Sequence, residues 1–293
     1  MIRSRQPARG YPKETVRWLV GILLASLCAE AAAQTPVPEE KKEAPPGIQD
    51  NSFLMEEAYN QEEGVVQHIN SFQRMRGGGW LASFTQEYPV PRQTHQLSYT
   101  IPYLRVADAA VHSGLGDIAL NYRYQLAGSG DAKFSCAPRL SVLLPSGDYK
   151  RELGSGGVGV QVNVAMSTVL SEKFVTHSNF GGTYFPSAKD AQGEKAAARG
   201  ANAGQSLIWL IRNDLNAMLE AVWSYSQAVT APGQTRGTHT FFVSPGIRWA
   251  FNSPTGLQIV PGIAVPLGVG PSRGDLAVLV YLSFEHPMWY PAR

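Results

Sequence analysis

The sequence predicts an all-β protein, a transmembrane antiparallel β-barrel of about twelve strands of the outer-membrane kind. Three observations predict it. The first is residues 274–284, Gly-Asp-Leu-Ala-Val-Leu-Val-Tyr-Leu-Ser-Phe, close to the end of the chain. Every second residue from Leu276 through Val278, Val280 and Leu282 to Phe284 is large and apolar, and the residues between are smaller or more polar on balance. A period of two marks a strand with two different faces, and an aromatic residue closes this one. The second is composition. Charged residues make up 16%, aromatics 10%, and there are 29 glycines; ordinary soluble domains carry roughly 25% charge. A mean hydropathy of −0.15 is too polar for a bundle of membrane helices, whereas a lipid-facing wall around a polar lumen averages to such a value. The third is the connections, which alternate between longer and shorter along the second half of the chain. Composition alone leaves a secreted soluble β protein open; the strand faces and the connections argue against it. A net charge of +2, scattered along the chain, gives no ground for nucleic-acid binding.

The chain opens with a targeting segment, residues 1–33. Arg3, Arg5, Arg9, Lys13 and Arg17 form a basic region, and Trp18 to Ala29 is an uncharged, largely apolar run. That run has the length of a signal-peptide core and is too short to span a bilayer. Ala31-Ala32-Ala33 offers an A-x-A cleavage site before Gln34. Leu27 stands before Cys28, where a lipoprotein signal wants a small residue, so lipidation is not expected. Cleavage after Ala33 leaves Cys136 as the sole thiol, which excludes an internal disulfide. Residues 34–64 then read as a flexible periplasmic leader: 34–50 are Pro-rich and charged and cannot bury a core. Residues 52–62 suit a helical turn or two, with Ser52 and Glu56 one residue out of register for a capping box. This stretch either plugs or flanks the lumen, or is an ordered tail.

The barrel itself is expected over 65–286, followed by a tail, 287–293. Strands fall near 65–75, 79–89, 94–106, 115–126, 133–145, 158–170, 174–185, 205–212, 215–228, 238–251, 256–267 and 275–285. In 158–166 the apolar members are Val158, Val160, Val162, Val164 and Met166; Gly159, Gln161, Asn163 and Ala165 fill the other face. In 117–125, Ile118, Leu120, Tyr122 and Tyr124 oppose Asp117, Asn121, Arg123 and Gln125. In 241–251, Phe241, Val243, Ile247, Trp249 and Phe251 oppose Ser244, Gly246, Arg248 and Ala250. A soluble sandwich would show Lys and Glu on its outer face; here the polar face is small, as a crowded lumen requires. A strand of about ten residues rises roughly 33 Å, which at a tilt of about 40° covers the roughly 25 Å apolar band. Ser171-Glu-Lys173, Asn213-Asp214 and 252–256 are the short connections; 145–157 and 186–204 are the long ones. Trp80, Tyr103, Trp209 and Trp223 are among the aromatics expected at the rims.

Two stretches carry a resemblance to a known family: Gly114-Leu-Gly-Asp-Ile-Ala-Leu-Asn-Tyr-Arg-Tyr, and Pro138-Arg-Leu-Ser-Val-Leu-Leu-Pro-Ser-Gly-Asp148. With 56–68 and the terminal strand, they resemble the outer-membrane proteins grouped with the meta-pathway of phenol degradation. That resemblance implies a barrel in the outer membrane of a Gram-negative-type envelope. It also implies passage of aromatic or other small hydrophobic compounds and insertion by the outer-membrane assembly machinery. It supplies no catalytic residue.

Charges on inward faces are the most informative side chains: Asp117, Arg123, Arg139, Glu220 and Arg248. An Arg near the bilayer midplane on the lipid face would cost about 2–4 kcal/mol, so these five face the lumen or a rim. They either line a path that selects a solute or form an internal ion-pair network that stiffens a narrow barrel. With the solute class that the resemblance implies, the expected function is a channel for small, aromatic or hydrophobic solutes in the lipid bilayer. A structural or adhesive barrel without a pore is the first alternative. The second is an outer-membrane lipid hydrolase, suggested by Thr176-His177-Ser178-Asn179. Neighbouring residues on a strand point to opposite faces, so His177 and Ser178 do not meet on a regular strand, and no acidic partner stands at a fixed offset. The Gly-rich pieces 154–159 and 77–79 lack the context of a phosphate loop. The six His residues show no paired metal spacing, so no metal or cofactor is expected.

Overall fold

The computed structural model describes residues 48–107, 111–130 and 132–288. The targeting segment, residues 34–47 and the last five residues of the tail lie outside the described residues. Twelve antiparallel strands form one closed sheet. They are β1 (Val65–Met75), β2 (Trp80–Pro89), β3 (His95–Ala107), β4 (Val111–Leu115 continued by Ile118–Tyr124), β5 (Phe134–Leu144) and β6 (Gly159–Ser171). Then follow β7 (Phe174–Lys189), β8 (Lys195–Arg212), β9 (Leu215–Ala231), β10 (Gln234–Trp249), β11 (Gln258–Ala264 continued by Leu267–Gly268) and β12 (Ala277–Pro287). Each pairs with its neighbours in chain order, and β12 closes the ring on β1 from Val65↔Pro287 to Met75↔Ala277. The terminal strand anticipated from its period of two is thus the seam of the barrel. Among the described residues the only helical pieces are two single turns, 149–151 and 270–272.

Side-chain parity follows the sequence pattern. Val160, Val162, Leu140, Leu219, Val278, Val280 and Leu282 are exposed on the outer face. Their neighbours Asn163, Ser141, Glu220, Leu279 and Ser283 are buried on the inner one. A collar of this size would aggregate in water. Around a closed backbone ladder with no free edge it is the surface a bilayer requires. At one rim Trp80 stacks on Tyr103; toward the other, His68 stacks between Phe84 and Phe284. The rim where β1 begins and β12 ends is called the near rim here, the opposite one the far rim.

Strand lengths depart from expectation on one side. The stretch 186–204, expected as a long loop, is two strand ends: β7 runs on to Lys189 and β8 starts at Lys195. Asp190 closes the turn between them, accepting the N–H groups of Gln192 (3.0 Å) and Glu194 (2.9 Å). Gly193 supplies the positive φ of 89° that this tight turn needs. The reason for the miss is composition. Ala196 and Ala198 alternate inward as a strand should, but Ala and Gly have low strand propensity, and a run of them reads as loop. The strands β9 and β10 are lengthened in the same way to Ala231 and from Gln234. The other long connection, 145–158, remains a loop that carries only the single turn 149–151.

Candidate functional site

The lumen holds a segment of irregular backbone that is not part of the wall. Residues 48–61 run into it from the near rim, bend at residues 53–55, and return to enter β1 through residues 62–64. No helical turn forms over 52–62. The wall makes room through small inward residues. Ala58 is fully buried against Ala137 and Ala165. The Phe53 ring occupies a slot between Gly246 and Gly262, where a Cβ on either glycine would overlap it. The ring meets Tyr281 edge-on at 5.8 Å and joins Ile69, Ile208, Met218 and Leu279 in the lumen's main apolar cluster.

Much of the segment's backbone is bonded to wall side chains. Its N–H groups donate at a period of two: Leu54 to Glu220 Oε1 (2.9 Å), Glu56 to Asn179 Oδ1 (3.0 Å), Ala58 to Ser167 Oγ (2.8 Å) and Asn60 to Gln125 Oε1 (2.8 Å). Gln61 N–H donates to Gln96 Oε1 at 2.8 Å. The carbonyls are held too. Arg248 donates to those of Ile48, Asp50 and Asn51. Arg123 donates to those of Glu57 (3.2 Å) and Tyr59 (2.6 Å) and to Asn60 Oδ1. Asn179 Nδ2 reaches the Glu56 carbonyl (2.7 Å) and Gln125 Nε2 that of Ala58 (2.7 Å). A segment with no sheet partner thereby satisfies backbone groups that water would otherwise have to reach.

Two side chains of the segment anchor it further. Asp50 accepts from Tyr281 Oη (2.7 Å), Gln67 Nε2 (2.9 Å) and the Ser283 hydroxyl. Glu56 forms a forked ion pair with Arg139, Nη2–Oε1 2.6 Å and Nε–Oε2 3.0 Å, the strong geometry for this pair.

Of the residues singled out from sequence, Arg123 and Arg248 are 2% and 0% exposed and hold backbone carbonyls; Arg123 also lies 3.7 Å from Glu87. Arg139 pairs with Glu56, and Glu220 accepts from Leu54. Asp117 is set apart from these four. It lies at the break in β4, toward the far rim, where its carboxylate accepts from Gly147 N–H (3.0 Å) and Ser155 N–H (2.7 Å), fastening the loop after β5. Four of the five thus meet the threaded segment, and Arg139 with Glu56 is the only ion pair any of those four makes within 3.5 Å among the described residues. Sequence reasoning missed the amides, Gln67, Gln96, Gln125 and Asn179, which carry much of the binding. Their signal was an amide at an inward position, a weaker mark than a charge.

His177 faces inward, its Nδ1 2.8 Å from Ser167 Oγ, with Tyr59 edge-on against its ring. Ser178 faces outward and donates to Gln205 Oε1. The two therefore do not meet. The lumen keeps an unfilled cavity of about 320 Å³ beside the segment, lined by Ser71, Ser83, Thr100, Asn121 and Arg139 among others. A second, more apolar pocket of about 780 Å³ opens at the far rim between Met75, Trp80, Leu81, Leu104, Phe242 and Leu276. Among the described residues no group of three or more His, Cys, Asp or Glu is placed to hold a metal ion.

No protein-family profile matches the chain, and no curated protein matches it. Solved structures do. An outer-membrane channel from Pseudomonas putida F1 superposes with a TM-score of 0.57 at 14% identity, covering 78% of this chain and 97% of that one. The NanC porin superposes with a TM-score of 0.51 at 9% identity, over 74% and 98%. At such identities the likeness is one of fold. The protein has the fold of an outer-membrane β-barrel. Its exposed apolar collar, closed ladder and twelve-strand ring agree with that fold.

Proposed function

We propose that the protein is an outer-membrane channel for small solutes and that residues 48–61 are its closure. The observation that carries this reading is what fills the bore. Twelve strands whose inward residues are largely Gly, Ala, Ser and Asn enclose more space than their side chains occupy. That space is taken by a separate, hydrogen-bonded segment rather than by wall side chains. An aromatic or other hydrophobic solute is the class we favour. The far-rim pocket supports it with an apolar lining that includes Trp80 and Phe242, as does the resemblance to the meta-pathway barrels. Arg123, Arg139, Glu220 and Arg248 would line the path once the segment withdraws. Planar-bilayer conductance tests the proposal: the full chain is expected to be silent or to open rarely, and a chain lacking residues 48–61 to show discrete steps. Silence from both, with folded protein, would favour the alternative of a filled structural barrel, which the dense bonding of the segment also suits.

A further inference from the structure

We infer that the lumen is a binding site for a peptide backbone that enters, turns once and returns, which residues 48–61 occupy in cis and a free peptide of the same chemistry can occupy in trans. The inference rests on the reading of these residues as a removable closure.

The pattern of contacts is that of a receptor and not of a folded core. In a core, backbone groups pair with backbone groups, and about two-thirds of all hydrogen bonds are of that kind. Here wall side chains on separate strands do the work. Glu220, Asn179, Ser167 and Gln125 take N–H groups at every second residue. Arg123 and Arg248 take five carbonyls between them. Two of the amides read the backbone twice. Asn179 accepts from the N–H of Glu56 and donates to its carbonyl, and Gln125 accepts from Asn60 N–H and donates to the Ala58 carbonyl. Such pairs reproduce what an adjacent strand would offer, and they are indifferent to the peptide's side chains. Main-chain bonds of this kind give affinity in peptide recognition, and side-chain pockets give specificity.

Three pockets supply the specificity. A carboxylate at position 50 meets Tyr281, Ser283 and Gln67. An aromatic ring three residues later fills the Gly246–Gly262 slot. A small residue five further on is required where Ala58 lies fully buried against Ala137 and Ala165. The ligand class is therefore a peptide of about a dozen residues that turns once in the lumen, with an acidic, an aromatic and a small side chain at that spacing. The unpaired buried atoms beside the segment support a separable ligand. Among the described residues, both polar atoms of the Asn216 side chain, Ser244 Oγ, Arg248 Nε and Glu220 Oε2 have no partner. They lie together on β9 and β10, facing the segment. A wall built only for the occupied state would pair them; a wall that is hydrated when vacated has use for them.

The test keeps the whole chain. A specific protease site is inserted between Glu63 and Gly64, in the exposed stretch where the segment meets β1, and cut after folding. A fluorescent peptide of residues 48–61 is then added. Saturable exchange is expected, with the Phe53→Ala peptide weaker by about 150-fold or more and a scrambled peptide without effect. A nicked segment that never exchanges below the unfolding temperature of the barrel would overturn the inference, because it would make the segment part of the fold. So would equal binding of the scrambled peptide. If the insertion prevents folding, the uncut chain serves. Millimolar peptide, matching the effective concentration of a tethered segment, is expected to raise thiol labelling of a Met55→Cys variant, and unchanged labelling would count against the inference. Conductance recorded in parallel separates the two readings. Specific exchange without current leaves the peptide site standing and removes the channel, and current without peptide specificity does the reverse.

Discussion

The slot for Phe53 allows the closure to be tested from the wall side. Replacing Gly246 by Ala adds one methyl group where the Phe53 ring already lies, with the Ala264 methyl 2.9 Å away on the other side. The backbone there is ordinary sheet, so the substitution strains only the ring contact and the closer fit against Ala264. Overpacking of that kind costs about 1–3 kcal/mol. If the cost falls on the docked state alone, the equilibrium for withdrawal rises roughly 5- to 150-fold. Phe53→Ala removes the ring itself, which should cost about 3–5 kcal/mol. With no ring left to collide with, Gly246→Ala should then add only the cost of crowding Ala264 in the wall, so the double variant should exceed Phe53→Ala alone by far less than the single-variant effect. Met55, 4% exposed, provides the readout as Cys in a chain whose Cys28 and Cys136 are Ser. Its labelling by a bulky maleimide requires withdrawal and should follow the equilibrium. A rate unmoved by Gly246→Ala would refute the slot. A double variant showing the full product of both single effects would show that ring and glycine do not meet.

Three further outcomes are expected. Arg248→Ser leaves the carbonyls of Ile48, Asp50 and Asn51 without donors. At about 1.5–3 kcal/mol for a charge-assisted bond, it should raise open probability and, in the open state, reduce anion preference; unchanged reversal potentials would take Arg248 off the path. Burial, and then the neighbouring Asp50, pushes the Glu57 carboxyl well above the usual carboxylate range, against the pull of Arg123 and Arg248. A group raised in this way favours the docked state fully at low pH, and the benefit is lost as pH climbs through its raised value. Conductance should therefore increase with pH over that range, and Glu57→Gln should flatten the dependence. Finally, Val162→Arg places a charge on the exposed outer face and should lower the folded fraction on unheated gels, at about 2–4 kcal/mol near the midplane. Gln161→Arg, on the inner face, should be far milder; equal effects would break the assigned parity.

The barrel was legible because its signal is local. Alternation within 158–166 or 276–284 needs only a few neighbouring residues, and an Arg between aromatic residues on a strand has one tolerable direction. For Arg123 and Arg248 that direction was legible. Their partners were not. A carboxylate is the expected mate of a buried Arg, and here it is mostly a backbone carbonyl about 60 or 200 positions away. The threaded segment was harder still. Asp50, Glu56, Glu57, Asn60 and Gln61 make it look like a solvated tail, and nothing within it tells that side chains on six or more separate strands satisfy its backbone. Its polarity reflects a polar container, a property of the whole ring. The length of β7 and β8 was hidden for the opposite reason, since their far ends use Ala and Gly, which carry little strand signal.

The lengthened strands have a consequence for how anything reaches the mouth of the barrel. Strands β7 to β10 have 16 to 18 residues, against 10 to 13 for β1 to β3. Six extra residues add roughly 20 Å of strand, so the rampart stands tall on one flank and low on the other. The apolar pocket lies on the low flank, around Met75, Trp80 and Leu104. Arrivals from the tall side meet a four-stranded screen, while those skimming the membrane surface from the low side meet the pocket directly. The mouth behaves less like a funnel than like a harbour with a single breakwater, sheltered from one quarter and open to traffic along the shore.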